Sequence, residues 1–78
     1  MATLELFGTA RCQHTQEMRE WLEFRRCEFV EYDVEADAVA RRRMRELAGS
    51  QRNVPLLVED GRVIQVGWQG HSCIVDSE

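Results

Sequence analysis

Three cysteines, Cys12, Cys27 and Cys73, are the residues of this chain best suited to covalent chemistry. Cys12 lies in Thr9-Ala10-Arg11-Cys12-Gln13-His14-Thr15. A short alternating run, Leu4-Glu5-Leu6-Phe7, precedes that stretch, and a run with helical spacing that includes Met18, Trp21 and Leu22 follows it. Cys12 is therefore expected at a strand-to-helix junction, at or just before a helix N-terminus. Free backbone N–H groups and the helix dipole favour negative charge there, so a thiolate is stabilised. Arg11 adds a positive charge from the neighbouring position. Thr15 is either a polar group of the first helical turn or a hydrogen-bond donor to the thiolate. His14 is either an acid for a leaving thiolate, a substrate contact, or simply exposed.

Length and composition bound what such a cysteine can belong to. Seventy-eight residues make one small domain, 1–78, near the size at which a single core becomes marginal. A net charge of −4 argues against nonspecific nucleic-acid binding. No apolar run is long enough to span a bilayer, and Met1-Ala2-Thr3 leads straight into the first strand pattern without a leader-like segment. The expectation is a cytoplasmic protein, in a compartment where structural disulfides are rare. The odd cysteine count points the same way.

The elements that must position Cys12 follow from periodicity. A first strand is expected over about Thr3 to Phe7 and a helix over about Gln13 to Arg26, with Met18, Trp21 and Leu22 on its apolar face. A second strand is expected from about Glu28 to Val34. A second helix follows from near Ala36 to about Ala48, with a stripe of Ala36, Ala40, Met44, Leu47 and Ala48. Gly49 stops it. Its arginines, Arg41, Arg42, Arg43 and Arg45, read as a solvated face pairing with Glu35, Asp37 and Glu46. Val54 to Val58 and Arg62 to Val66 flank Asp60-Gly61, a strong type I′ hairpin signal. Residue i then faces 121 − i, which sets Pro55 opposite Val66 and Val54 opposite Gly67. The order is β-α-β-α-β-β, with the first two strands parallel through a right-handed crossover.

Several of these pieces stand in an order that resembles the glutaredoxins and the related NrdH-type redoxins. They are Phe7-Gly8-Thr9, then Cys12-x-x-Thr15 opening a helix, Gly49-Ser50-Gln51-Arg52-Asn53-Val54-Pro55, Asp60-Gly61 and Gly67. The ending Val66-Gly67-Trp68-Gln69-Gly70 is also similar to the branch called UXX-star, whose nucleophile is cysteine or selenocysteine. The resemblance implies an α/β thioredoxin-like fold with a mixed four-stranded sheet in the order 2-1-3-4. It implies that Cys12 is the nucleophile of a thiol–disulfide oxidoreductase and that Pro55 is cis. The Val54 backbone would then form an unpaired edge on which an extended cysteine-containing substrate pairs. Arg52 and Val54 resemble the groups that hold glutathione, and Gly67 the start of a further glutathione-contacting motif. Arg11 and His14 belong to the same substrate-facing set. No resident cofactor is implied; glutathione or another small thiol is a co-substrate. The partner is a disulfide or mixed-disulfide protein, with the chain a monomer or weak dimer.

The departures from that pattern are as informative. Position 15 is threonine, so Cys12 lacks the usual partner three residues on. The family's final helix is missing, since only twelve residues follow Val66 and they make a poor helix. One sheet face should be left partly bare near the first helix, with Trp68, Ile74 and Val75 available to cover it. Gly67 and Gly70 ease a bend. At roughly 3.3 Å per residue the tail can bring Cys73 back to Cys12. Cys73 is thus either a resolving thiol or a small buried hydrophobe. Cys27, at the far end of the first helix, lies too far from Cys12 to exchange with it. Two other functions stand beside the oxidoreductase. One is a metal or iron–sulfur module in which Cys12-x-His14 and His71-x-Cys73 converge. The other is a redoxin-fold adaptor without turnover.

Overall fold

Leu6 and Phe7 are neighbours that point to opposite faces of one strand, and both are fully buried. Such a strand must be central and covered on both sides. The computed structural model describes residues 3–75, and in it β1 (Leu4–Gly8) is that strand. Met1 and Ala2, read above as leading into the first strand, lie outside the described residues, as do Asp76, Ser77 and Glu78.

The remaining elements are α1 (Gln13–Phe24), β2 (Phe29–Asp33), α2 (Ala38–Ala48), β3 (Asn53–Val54), β4 (Leu56–Glu59), β5 (Arg62–Val66) and β6 (Cys73–Ile74). The main sheet has the order β2-β1-β4-β5, with β2 parallel to β1 and the other pairs antiparallel. This is the expected mixed four-stranded sheet. The run expected as one strand from Val54 to Val58 is split at Pro55, which has no N–H to donate. Its first piece leaves the main sheet and forms a two-stranded ladder with β6.

The helices cover opposite faces. Met18 and Leu22 of α1 pack with Leu6 and Leu57. Ala40 and Met44 of α2 pack with Phe7, Val34, Leu56 and Val58. Trp21 is not core as expected: it is 39% exposed, with its ring against Trp68 and Arg25 over it. The inward position belongs to Thr15 instead. The first helix also stops short of Arg26, whose φ of 58° ends it while the Cys27 N–H reaches back to the Leu22 carbonyl. The second helix begins later than expected because Asp37 caps it, accepting from the Val39 and Ala40 N–H groups at 3.0 and 3.2 Å. Ala36 is left exposed outside the helix.

Asp60 and Gly61, both with positive φ, make the predicted turn. Glu59 faces Arg62 and Val58 faces Val63, as the simple register requires. A bulge at Ile64 then shifts the pairing by one, so Leu56, not Pro55, faces Val66. Because β5 is an edge strand, the extra residue disrupts bonding on one side only.

Nor is the arginine group on α2 simply a solvated face. Arg43 reaches β1, where its Nη2 and Nε donate to the buried carboxylate of Glu5 at 2.8 and 3.1 Å. The Tyr32 hydroxyl donates to the same carboxylate at 3.3 Å. Burial, reinforced by Glu5, raises the Tyr32 phenol above its ordinary range. Arg41 donates to the carbonyls of Val34 and Glu35. Arg43→Ala is expected to lower the urea midpoint by stranding the Glu5 carboxylate. The loss should shrink when Glu5→Gln is added, which a double-mutant cycle measures.

Candidate active site

Gly8 ends β1 directly beneath the first turn of α1. A Cβ built there would lie 2.6 Å from Thr15 Oγ1, so only glycine allows the strand and helix to approach this closely. Cys12 is the N-cap of α1, with φ −87° and ψ 114°. Its carbonyl accepts from the Gln16 N–H at 3.2 Å. No side chain caps the helix and no acidic residue occupies its first turn. The positive end of the helix is therefore uncompensated beside the Cys12 sulfur. Cys12 itself is only 3% exposed, and its Sγ lies 4.0 Å from the Val54 carbonyl oxygen.

The tail comes back to this point. Gly67, with φ 82°, donates to the Pro55 carbonyl at 2.7 Å. A Cβ on Gly67 would meet the His71 carbonyl oxygen at 2.8 Å. Trp68 and His71 then exchange backbone hydrogen bonds across Gln69 and Gly70, both with positive φ. That is a second tight turn, and it launches β6 antiparallel to β3. Val54 pairs with Cys73 and Asn53 with Ile74, while the Val75 N–H donates to the Arg52 carbonyl. Cys73 is thereby delivered to Cys12, and the two form a disulfide with Cα atoms 6.0 Å apart. The imidazoles of His14 and His71 stack over the same region, with ring centroids 5.2 Å apart.

The expected site residues divide accordingly. Cys12, Thr15, His14, Cys73, Val54, Pro55 and Gly67 are brought into one neighbourhood by the α1 N-terminus, β3 and the tail. The Val54–Pro55 bond is cis. The Val54 edge, however, is not free: β6 of the same chain occupies it. Arg11 has a side chain 83% exposed and paired to Glu35 at 2.6 Å. Glu35 raises the Arg11 guanidinium pKa through that hydrogen bond and their charge interaction. Its charge is thus largely answered by Glu35. Arg52 is exposed and lines a cavity of about 400 Å³ together with Arg41, Arg45, Met44 and Val75. A smaller cleft of about 200 Å³, lined by Thr9, Arg11, Glu35 and Ile74, opens onto both cysteines. Thr15 Oγ1 is buried and has no hydrogen-bond partner among the described residues.

The tail covers the core differently from expectation. Trp68 does pack on the α1 face, beside Leu6, Met18, Leu22 and Leu57. Val75 packs on the opposite face, with Ala40, Met44 and Val54. Ile74 covers nothing, being 73% exposed. Ile64 and Val66 remain about half exposed on the edge strand. Glu35 and Val75 are the neighbours that site reasoning missed. The i, i+2 relation of Val75 to Cys73 was the signal for one of them; nothing local marks Glu35.

Cys12, His14, His71 and Cys73 do converge, but not as a donor set. The two sulfurs are bonded to each other and the two imidazoles lie face to face. Among the described residues no group of three or more His, Cys, Asp and Glu side chains is arranged to hold a metal ion. Nor is any helix among them long and apolar enough to cross a membrane. Cys27 is a free, half-buried thiol packed beside Leu22 and its neighbours.

A cysteine at the N-cap of the helix after a central strand, beside a cis proline, defines a thioredoxin-fold redox protein. A mutant of the thioredoxin-like protein BC3987 is similar at 29% identity and a TM-score of 0.74, over 85% of this chain and 82% of that one. The unmutated BC3987 structure gives 28% and 0.69, over 85% and 88%. Glutaredoxin 1 from Francisella tularensis, in complex with cacodylate, shares the fold at 17% identity and a TM-score of 0.60, over 87% and 85% of the two chains. No curated protein matches. The glutaredoxin family model matches residues 4–64, and the chain belongs to that family. Thiol–disulfide redox chemistry is the general activity that membership supports.

Two outcomes are expected in solution. Iodoacetamide should label only Cys27 in the oxidised protein and all three cysteines after reduction and unfolding, as peptide mass spectrometry will show. The disulfide closes a sequence separation of 61 residues, so its reduction should cost roughly 2–4 kcal/mol in urea unfolding.

Proposed function

We propose that the protein is a thiol–disulfide oxidoreductase in which Cys12 attacks and Cys73 resolves. The observation that carries this is the Cys12–Cys73 disulfide across β3 and β6. The Cys12 thiolate attacks one sulfur of a substrate disulfide, and the other half leaves as a thiol. Cys73 then attacks Cys12 Sγ in the mixed disulfide, and the second half leaves. Two electrons pass to the substrate, and the Cys12–Cys73 disulfide remains. The pair takes the place of the Cys-x-x-Cys ring that Thr15 denies this chain.

Reduction back to the dithiol needs an external dithiol or two equivalents of a small thiol such as glutathione. The incoming thiolate attacks the Cys73 sulfur, since Cys12 is buried and Cys73 is the more exposed. Cys12 is then the leaving group, at the uncompensated end of α1, and a stabilised thiolate leaves faster. A second thiol frees Cys73. The cleft lined by both cysteines gives access. On this reading the buried Thr15 hydroxyl finds its partner in the reduced state, by donating to the Cys12 thiolate.

Single-turnover reaction of the reduced protein with a glutathionylated peptide tests the assignment. Cys73→Ser should accumulate a mixed disulfide on Cys12 that the parent chain clears, while Cys12→Ser should form none. Turnover by Cys12→Ser, or no adduct on Cys12 in either protein, refutes it; the latter is what an adaptor without turnover gives. Thr15→Val carries a separate prediction. It replaces an unpartnered buried hydroxyl, so the oxidised protein should gain up to about 1 kcal/mol in urea, while Cys12 exchange slows. A gain in stability with an unchanged exchange rate shows that the hydroxyl does not serve the thiolate.

A further inference from the structure

Residues of β6 stand where an extended substrate strand would have to stand. Its cysteine is bonded to Cys12, and it pairs antiparallel with Val54. The hydrogen bonding extends past the cysteine, through the Val75 N–H to the Arg52 carbonyl at 2.9 Å. Side chains alternate along such a segment. Ile74 points to solvent, 73% exposed, and Val75 points inward, 2% exposed. Val75 sits in the cluster with Ala40, Met44 and Val54. The cavity of about 400 Å³ adjoins it, bounded by Met44, Arg41, Arg45 and the Gly49–Arg52 segment. Val75 thus forms one wall of that cavity while its side chain packs into the core.

We infer that β6 is an intramolecular stand-in for substrate. The substrate class is then an extended cysteine segment with an aliphatic residue two positions after the cysteine, its side chain entering the pocket now filled by Val75. This rests on the exchange reading above and adds to it the identity of the occupant. In the oxidised protein the tail is held covalently and the edge is closed. After reduction the tail is held without a covalent bond, by the two-residue ladder, the Val75–Arg52 hydrogen bond, the burial of Val75 and the packing of Trp68, and a substrate segment competes for the same edge. The residue directly after the cysteine corresponds to Ile74 and meets solvent, so it contributes little to selection.

Full-length Cys73→Ser protein, reduced, tests this with blocked tetrapeptides carried as thionitrobenzoate mixed disulfides. The series is Ser-Cys-Ile-Val, Ser-Cys-Ile-Leu, Ser-Cys-Ile-Asp and Ser-Cys-Asp-Val. The readouts are the rate of thionitrobenzoate release at subsaturating peptide and the mass of the protein–peptide disulfide on Cys12. Valine or leucine in the last position should exceed aspartate about tenfold, the discrimination one aliphatic group gives in a pocket. Aspartate directly after the cysteine should change the rate little. Adding Val75→Asp should raise the rate for Ser-Cys-Ile-Val several-fold by weakening the competing tail. Equal rates across the series overturn the substrate class while leaving exchange at Cys12 intact. No peptide adduct on Cys12 in any arm overturns both. The peptide series uses the native residue at position 75, so a folding defect in Val75→Asp does not blunt it.

Discussion

The bond between Cys12 and Cys73 ties the first helix to the last strand across 61 residues of sequence. Everything from α1 through the β4–β5 hairpin lies inside that loop. The backbone brings the two sulfurs together by pairing Val54 with Cys73, and the bond in turn fixes the tail against β3. Whatever free energy the fold lends to closing the disulfide, the disulfide returns to the fold, because the cycle of reduction and unfolding must close. In a domain of 78 residues, where one core is marginal, that coupling is a large share of the whole. Stability and redox state are consequently one variable here.

The electrostatics around Cys12 follow from which charges are already answered. Arg11 adjoins Cys12 in sequence but spends its charge on Glu35, on the exposed side of the loop. Exposed pairs of this kind are screened and contribute little at a distance. What remains for the sulfur is the end of α1, with its uncapped N–H groups and no acidic residue in the first turn. These groups are rigid and need no side chain to be ordered. The positive end of α1 beside Cys12 is therefore set by backbone geometry, which Gly8 secures by letting the helix sit against β1.

Most of the fold was readable because its signals are local. Asp60-Gly61 demands positive φ at both positions and receives it. Gly49 stops its helix, and the apolar spacing of Met18 and Leu22 holds. The misreadings share one cause, which is that the deciding partner lies far away in sequence. Sequence proximity pairs Arg43 with Glu35, Asp37 and Glu46, yet its carboxylate is Glu5, 38 residues earlier. Trp21 has the period of a core residue but sits at the rim, against Trp68 and under Arg25. The bulge at Ile64, in an edge strand, leaves no mark in composition. Residues Trp68 to Ile74 are poor helix formers with weak strand propensity, and pairing with Asn53 and Val54 decides their state. The Cys12 end of the site was legible from its junction, and the Cys73 end from reach alone. That Val54 would already be occupied was not legible, because it depends on where a short tail comes to rest.

The segment from Gly67 to Val75 forms no helix over α1 and instead returns a cysteine to Cys12. The chain divides the work. Trp68, at the start, stays on the α1 face, and Val75, at the end, crosses to the α2 face. Between them the backbone straddles the end of the sheet where Cys12 sits. The consequence on the α1 side is an incomplete cover, visible in the exposed flank of Trp21. The consequence on the other side is that a core residue, Val75, belongs to a segment held by two ladder pairs and one reducible bond. Burial of Val75 and closure of the Val54 edge are then the same event. Any segment that displaces the tail must replace both the backbone pairing and the lost aliphatic contact. Shape and hydrogen bonding at that edge thus constrain a displacing strand by the same rules that hold β6 in place.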